Sequence, residues 1–103
     1  MKEIEIIRPD DWHVHFRDEE IMKAVVPETT KHFARAIIMP NLSPPILNGK
    51  QANEYKKRIE QVIPKSNIFL PLMTIYLTEN TYQKELQEAY KNQLVFAAKL
   101  YPA

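Results

Sequence analysis

Hydrophobic and polar residues along this chain repeat with two alternating periods. In "EIEIIR" (3–8) apolar and charged residues alternate in twos, the period of a strand, until Pro9 interrupts. "WHVHF" (12–16) repeats that period and puts His13 and His15 on one face. Helical spacing follows from Asp18 to Phe33, with Pro27 expected to open a new helix at Val26–Pro27, because proline is at home in a first turn. "RAIIMP" (35–40) is a continuous apolar run closed by proline, the pattern of a strand buried on both faces. "NLSPPI" (41–46) reads as loop. Asn48 is a natural N-cap for a helix whose Ala52, Tyr55, Ile59 and Val62 share one side, and which stops before Pro64. "IFLPLMTIYL" (68–77) reads as a strand, Pro71 marking an edge or a bulge. Tyr82, Leu86 and Tyr90 form the docking stripe of a helix over 81–92, which Asn92 is expected to end in the left-handed conformation. "LVFAAKLY" (94–101) is the last buried strand.

Strands alternating with helices imply βαβ units, and hence an α/β fold with parallel strands and right-handed crossovers. Neither an internal repeat nor a linker divides the 103 residues, so one domain is expected. Parallel sheets carry their chemistry at the carboxyl ends of the strands. The polar residues that interrupt the apolar runs fall there: His13, His15 and Arg17, then Asn41, Thr78 and Lys99. A net charge of +1, with Lys56, Lys57 and Arg58 as a small cluster expected to solvate a helix face, argues against a nucleic-acid partner. The lack of cysteine excludes disulfides and thiolate metal sites. No apolar run approaches the ~18 residues of a membrane span, and the N-terminus has no apolar signal core, so a cytoplasmic protein without membrane partners is expected. One glycine against eight prolines means that prolines punctuate the elements.

The chemistry of the candidates leaves alternatives open. His13 and His15 either ligate a metal such as zinc, at about 2.0–2.1 Å, or form a hydrogen-bonded pair. Lys99 is one amine within an apolar strand, where desolvation disfavours its charge. It would serve as a base, a Schiff-base former or, after reaction with CO₂, a carbamate able to bridge two cations; otherwise it snorkels to the strand end. Arg17 suits bidentate binding of a carboxylate, or a salt bridge with Asp18. Asn41 either orients a ligand or serves the turn after Pro40. His32 reads as a surface residue at a helix end.

"RPDDWHVHFRD" (8–18), "RAIIMPNLSPP" (35–45), "PLMTIYLT" (71–78) and "AAKLYPA" (97–103) resemble, in order and at matching spacing, successive segments of the bacterial-type dihydroorotases, members of the metal-dependent amidohydrolase superfamily. The resemblance runs through essentially the whole chain. It implies that residues 1–103 are a single partial domain, the N-terminal half of a (β/α)₈ barrel preceded by a short extra strand. It implies two zinc ions, with His13 and His15 as ligands and Lys99 as the carboxylated lysine that bridges them. It implies His15, Arg17 and Asn41 as substrate-binding residues. The family's reaction is the reversible cyclisation of N-carbamoyl-L-aspartate to (S)-dihydroorotate in pyrimidine synthesis, a metal-assisted reaction in which bound water is acidified from about 15.7 toward about 7.

The family's barrel needs about 250 residues. Two further histidine ligands, and an aspartate that acts as ligand and general acid/base, come from its later strands. The 103-residue chain is therefore expected to supply three of six metal ligands and no catalytic acid or base, and to be inactive alone. A half-barrel leaves an open edge and an apolar face, which favour docking to a complementary C-terminal fragment or to a second copy. The alternatives are a non-catalytic remnant and a self-associating, zinc-binding half-barrel module.

Overall fold

A computed structural model describes residues 2–102. Five strands, β1 (Asp10–Val14), β2 (Arg35–Ile38), β3 (Leu70–Leu72), β4 (Thr74–Tyr76) and β5 (Ala97–Lys99), alternate with three helices, α1 (Glu19–His32), α2 (Gly49–Val62) and α3 (Gln83–Lys91). Every ladder is parallel: β1 pairs with β2, β2 with β3, and β4 with β5. Only Met73 separates β3 from β4, so the segment 70–76 pairs with β2 along its first half and with β5 along its second. The strands thus run in one lateral order from β1 to β5.

The connecting segment is buried on both faces from Pro71 to Ile75, Leu72 and Thr74 on one and Pro71, Met73 and Ile75 on the other. Pro71, Met73 and Ile75 are buried, and the last two join a core with Phe16, Val26, Ala36, Ile38, Ala52, Tyr55 and Ile59, packed between strands and helices. Each such fully buried aliphatic side chain is worth about 1.5–3 kcal/mol relative to exposure. Pro71 is tolerated for a local reason. The Leu70 N–H donates to the Ala34 carbonyl, so the next residue faces the other edge, where β3 has no partner strand.

α2 begins as its sequence predicts. The Asn48 side chain accepts from Gln51 N at 2.9 Å, and the Gln51 side chain accepts from Leu47 N at 2.8 Å, an arrangement close to a capping box. In α1, Glu19 and Glu20 lie in the first turn and Lys31 and His32 in the last, matching the helix dipole.

Several expectations are corrected. Residues 3–8 form no strand; Ile4, Ile6 and Ile7 are 87%, 76% and 94% exposed. Their alternation supplies an apolar face, but a strand also needs a neighbour, and none pairs with them among the described residues. Only the end of this segment is fastened, by the Arg8 guanidinium donating to the Thr30 and Ile68 carbonyls. Pro27 does not restart α1 but sits inside it. The carbonyl it deprives of a donor is that of Lys23, an exposed residue, while buried Val26 and Thr30 hold the helix on either side. In α3, Tyr82 and Tyr90 are exposed, and the helix docks through Leu86 and buried Ala89. The left-handed residue after α3 is Gln93 (φ 61°), not Asn92 (φ −86°). β5 is shorter than its apolar run because it has a partner on one side only.

The single glycine has a packing role. A Cβ on Gly49 would lie 2.8 Å from the Ala89 Cβ and 3.2 Å from Leu94 Cδ1, so α2 and α3 approach only because it is absent. Helix propensity alone would make Gly→Ala favourable by up to about 1 kcal/mol. The overlap reverses the sign: Gly49→Ala is expected to destabilise the fold by about 1–3 kcal/mol in urea unfolding, whereas Ile7→Ala on the exposed segment should stay within about 0.5 kcal/mol.

Candidate functional site

β1 carries an extra residue opposite β2. Asp11 pairs with Ala36 and Val14 with Ile38, three steps on one strand against two on the other. Such a bulge re-aims the side chains that follow. Here Phe16 is buried in the core with Val14 packed against it, while His13 and His15 emerge together at the carboxyl end. Their Nε2 atoms lie 3.1 Å apart, with ring centroids 5.1 Å apart and the rings tilted by 55°.

Asn41, just past β2, ties the other candidates together. Its carbonyl accepts from Arg17 NH1 at 3.2 Å, and its Oδ1 accepts from Lys99 Nζ at 2.6 Å. The ends of β1, β2 and β5 therefore meet at one residue. Lys99 is half-buried and lies 5.2 Å from the Tyr101 ring centroid; Tyr76 is its register partner on β4. His15 belongs to the same cluster electrostatically. Burial first, then the charges of Arg17, Lys99 and His13, hold its imidazole below the ordinary value of 6.5.

Three sequence expectations need adjustment. Asp18 pairs with Arg58, not Arg17: Nε–Oδ1 is 3.1 Å and NH2–Oδ2 is 3.0 Å. Arg58 is thus no mere solvating charge, and the Arg17 guanidinium keeps most of its donors for a ligand. Thr78 is exposed and engaged in a local turn with Thr81 and Asn80, so nothing links it to the cluster. His32 is exposed at the end of α1, as expected. Tyr55, whose hydroxyl donates to the Arg17 carbonyl, was not singled out as a site residue; its spacing from Arg58 on one helical face was the available signal.

The histidine spacing fits a shared ion. Two nitrogens 3.1 Å apart, each about 2.05 Å from zinc, subtend an N–Zn–N angle of about 98°, a compressed tetrahedral value. The same spacing also serves a hydrogen bond between two neutral rings, one donating and one accepting. No group of three His, Cys, Asp or Glu gathers around the pair among the described residues. An open cleft of about 600 Å³ adjoins Arg17 and Asn41, walled by Pro44, Pro45, Gln51 and Arg58. Among the described residues no helix is long and apolar enough to cross a membrane.

Parallel βα units thus carry a histidine pair, an arginine, an asparagine and a lysine on one carboxyl rim. No family model matches the chain. Individual proteins do. A dihydroorotase of Roseobacter denitrificans is 55% identical over 102 residues, spanning 99% of this chain and 30% of the relative. The mitochondrial dihydroorotase of Oryza sativa subsp. japonica is 48% identical over 103 residues, 25% of its length. Among solved structures, the dihydroorotase of Campylobacter jejuni superposes with a TM-score of 0.84 at 38% identity, covering 93% of this chain and 27% of that one. The Saccharomyces cerevisiae dihydroorotase in complex with 5-fluoroorotic acid gives 0.83 at 33% identity, covering 92% and 26%. In sequence and in backbone the chain is homologous to dihydroorotases and resembles their N-terminal part. It spans less than a third of the length of the relatives it matches.

The cluster predicts a pH response. Because the folded state favours neutral His15, its contribution to stability is present above the unfolded imidazole value and is lost as pH falls through the lower, folded one. An NMR titration should place His15 below 6.5, and Lys99→Met should move it upward by removing a nearby positive charge. An unmoved midpoint in that variant would mean that Lys99 does not face His15.

Proposed function

We propose that this chain is the N-terminal part of a dihydroorotase, a partial domain forming half of a (β/α)₈ barrel. In this reading the enzyme interconverts N-carbamoyl-L-aspartate and (S)-dihydroorotate. The observation that carries it is the meeting of the ends of β1, β2 and β5 at Asn41, in a chain homologous to dihydroorotases throughout. The apolar flank of β5, with Phe96 43% and Leu100 77% exposed, suits further barrel elements packing against it.

Each rim residue then has a task. His13 and His15 would hold zinc. Zinc, when bound, supplies Lewis-acid polarisation and lowers the pKa of its water to about 7. Lys99 is the residue to be carboxylated. As an ammonium it joins Arg17 in a positive field that opposes a cation; as a carbamate it would replace +1 by −1 and cancel the Arg17 charge. Carboxylation and metal occupancy would therefore favour one another. Arg17 offers its unpaired donors to the substrate carboxylate. Asn41, whose Oδ1 accepts from the lysine, keeps its amide N–H₂ for the same ligand. His15, half-buried beside Arg17, lines the substrate as well as the metal.

Two measurements test this. In a zinc titration of the purified chain by calorimetry, His13→Ala and His15→Ala should each weaken binding by at least ~10-fold, as loss of a direct ligand costs no less than loss of its supporting partner. In a chimera with residues 1–103 replacing the matching segment of the Roseobacter relative, cyclisation should persist. There Arg17→Met should raise KM by about 10- to 150-fold, the equivalent of a charged hydrogen bond worth about 1.5–3 kcal/mol. A folded, inactive chimera would overturn the assignment.

A further inference from the structure

The turn from β1 into α1 is strained, and what holds it lies on another helix. Arg17 (φ 55°) and Glu19 (φ 51°) both occupy the left-handed region, which non-glycine residues avoid, while Asp18 between them is extended (φ −146°, ψ 174°). Backbone of this kind persists only where its surroundings over-determine it, and it concentrates at functional sites.

The restraints converge from α2. Tyr55 is fully buried, and its hydroxyl donates to the Arg17 carbonyl. Three residues later on the same helix face, Arg58 grips both Asp18 carboxylate oxygens, at 3.1 and 3.0 Å, with its guanidinium 5.2 Å from the Tyr55 ring centroid. Asp18 Oδ1 also accepts from Glu19 N at 3.0 Å. The peptide unit joining Arg17 to Asp18 is thereby fixed at its carbonyl and through the side chain that follows. Burial, reinforced by the Asp18 carboxylate, pushes the Tyr55 phenol upward, so it remains a donor.

We propose that Tyr55 and Arg58 are positioning residues that lock Arg17 in its left-handed conformation and so aim its guanidinium at the Asn41 rim. A positive φ swings Cβ to the opposite side of the backbone from the one ordinary residues present. Released from α2, Arg17 would relax to negative φ and carry its guanidinium away from the Asn41 carbonyl, 3.2 Å from NH1 in the locked form. The significance for catalysis rests on the dihydroorotase reading; the lock itself does not.

NMR of the full 103-residue chain tests the lock directly. Wild-type Arg17 should show the strong intraresidue amide–Hα Overhauser effect of a positive φ. Tyr55→Phe, which keeps the buried ring, and Arg58→Gln, on the half-exposed side of α2, should each lose that signal while the core methyls of Ile38 and Ile59 stay unmoved. Arg58→Lys, which restores charge without the fork, should recover part of it. Retention of the signal in both Tyr55→Phe and Arg58→Gln, with or without a lowered melting temperature, would overturn the proposal and leave the pair a fastening for α1. The cyclisation assay of the chimera separates the two ideas. Loss of the Arg17 signal in the variants together with a folded, inactive chimera would sink the dihydroorotase reading alone; an active chimera with the signal retained would sink the lock alone.

Discussion

Asn41 is the constraint on which the site depends. Among the described residues it is the one bonded both to the turn that follows β1 and to the end of β5, accepting from Arg17 through its main chain and from Lys99 through its side chain. Such a hub works only if its own backbone is fixed, and here it is. The N–H groups of Leu42 and Ile46 both return to the Pro40 carbonyl, at 2.9 and 3.0 Å, curling the loop after β2 on itself. Tyr76 N then donates to the Ile46 carbonyl at 2.8 Å, so the loop's far end is attached to β4. The contact from Lys99 thus joins two supported elements, and little freedom is left to lose when a ligand arrives.

Parallel architecture divides the labour. The face toward the helices is filled by large apolar side chains and carries stability; Ile38, Ile59, Met73 and Ile75 are all but inaccessible there. The opposite face is less thoroughly satisfied. Thr74 is buried, and its hydroxyl has no partner among the described residues. The rim holds the costly items: left-handed Arg17 and Glu19, and a histidine beside positive charges. Strain of this kind is sustained by well-packed elements nearby, and α2 is the supporting element here, with Tyr55 fully buried at its centre.

What was legible in the sequence follows from whether the cause is local. Helix and strand periods, the Asn48 cap and the positions of His13, His15, Asn41 and Lys99 at strand ends are set by neighbours within a turn or two, and they could be read. The misjudged features turn on partners far along the chain. Residues 3–8 have the right alternation and no strand beside them. Pro27 is carried by tertiary packing of Val26 and Thr30. Asp18 and Arg58 are 40 positions apart, so no local pattern announces their pairing. The bulge in β1 shows only against the register of β2.

That displacement of partners has a chemical consequence. Had Asp18 paired with Arg17, the rim would carry a neutralised guanidinium with its fork already filled. Because Arg58 takes the carboxylate, Arg17 and Lys99 both present positive charge beside His15. A site so charged attracts a carboxylate ligand and keeps an imidazole neutral, with its nitrogen lone pair available. The same field repels a bare cation. An anionic ligand, or conversion of the lysine to an anion, would therefore ease the approach of a divalent ion to the histidine pair. Selecting anion before cation, or the two together, is a property of this charge arrangement and does not depend on which reaction the rim performs.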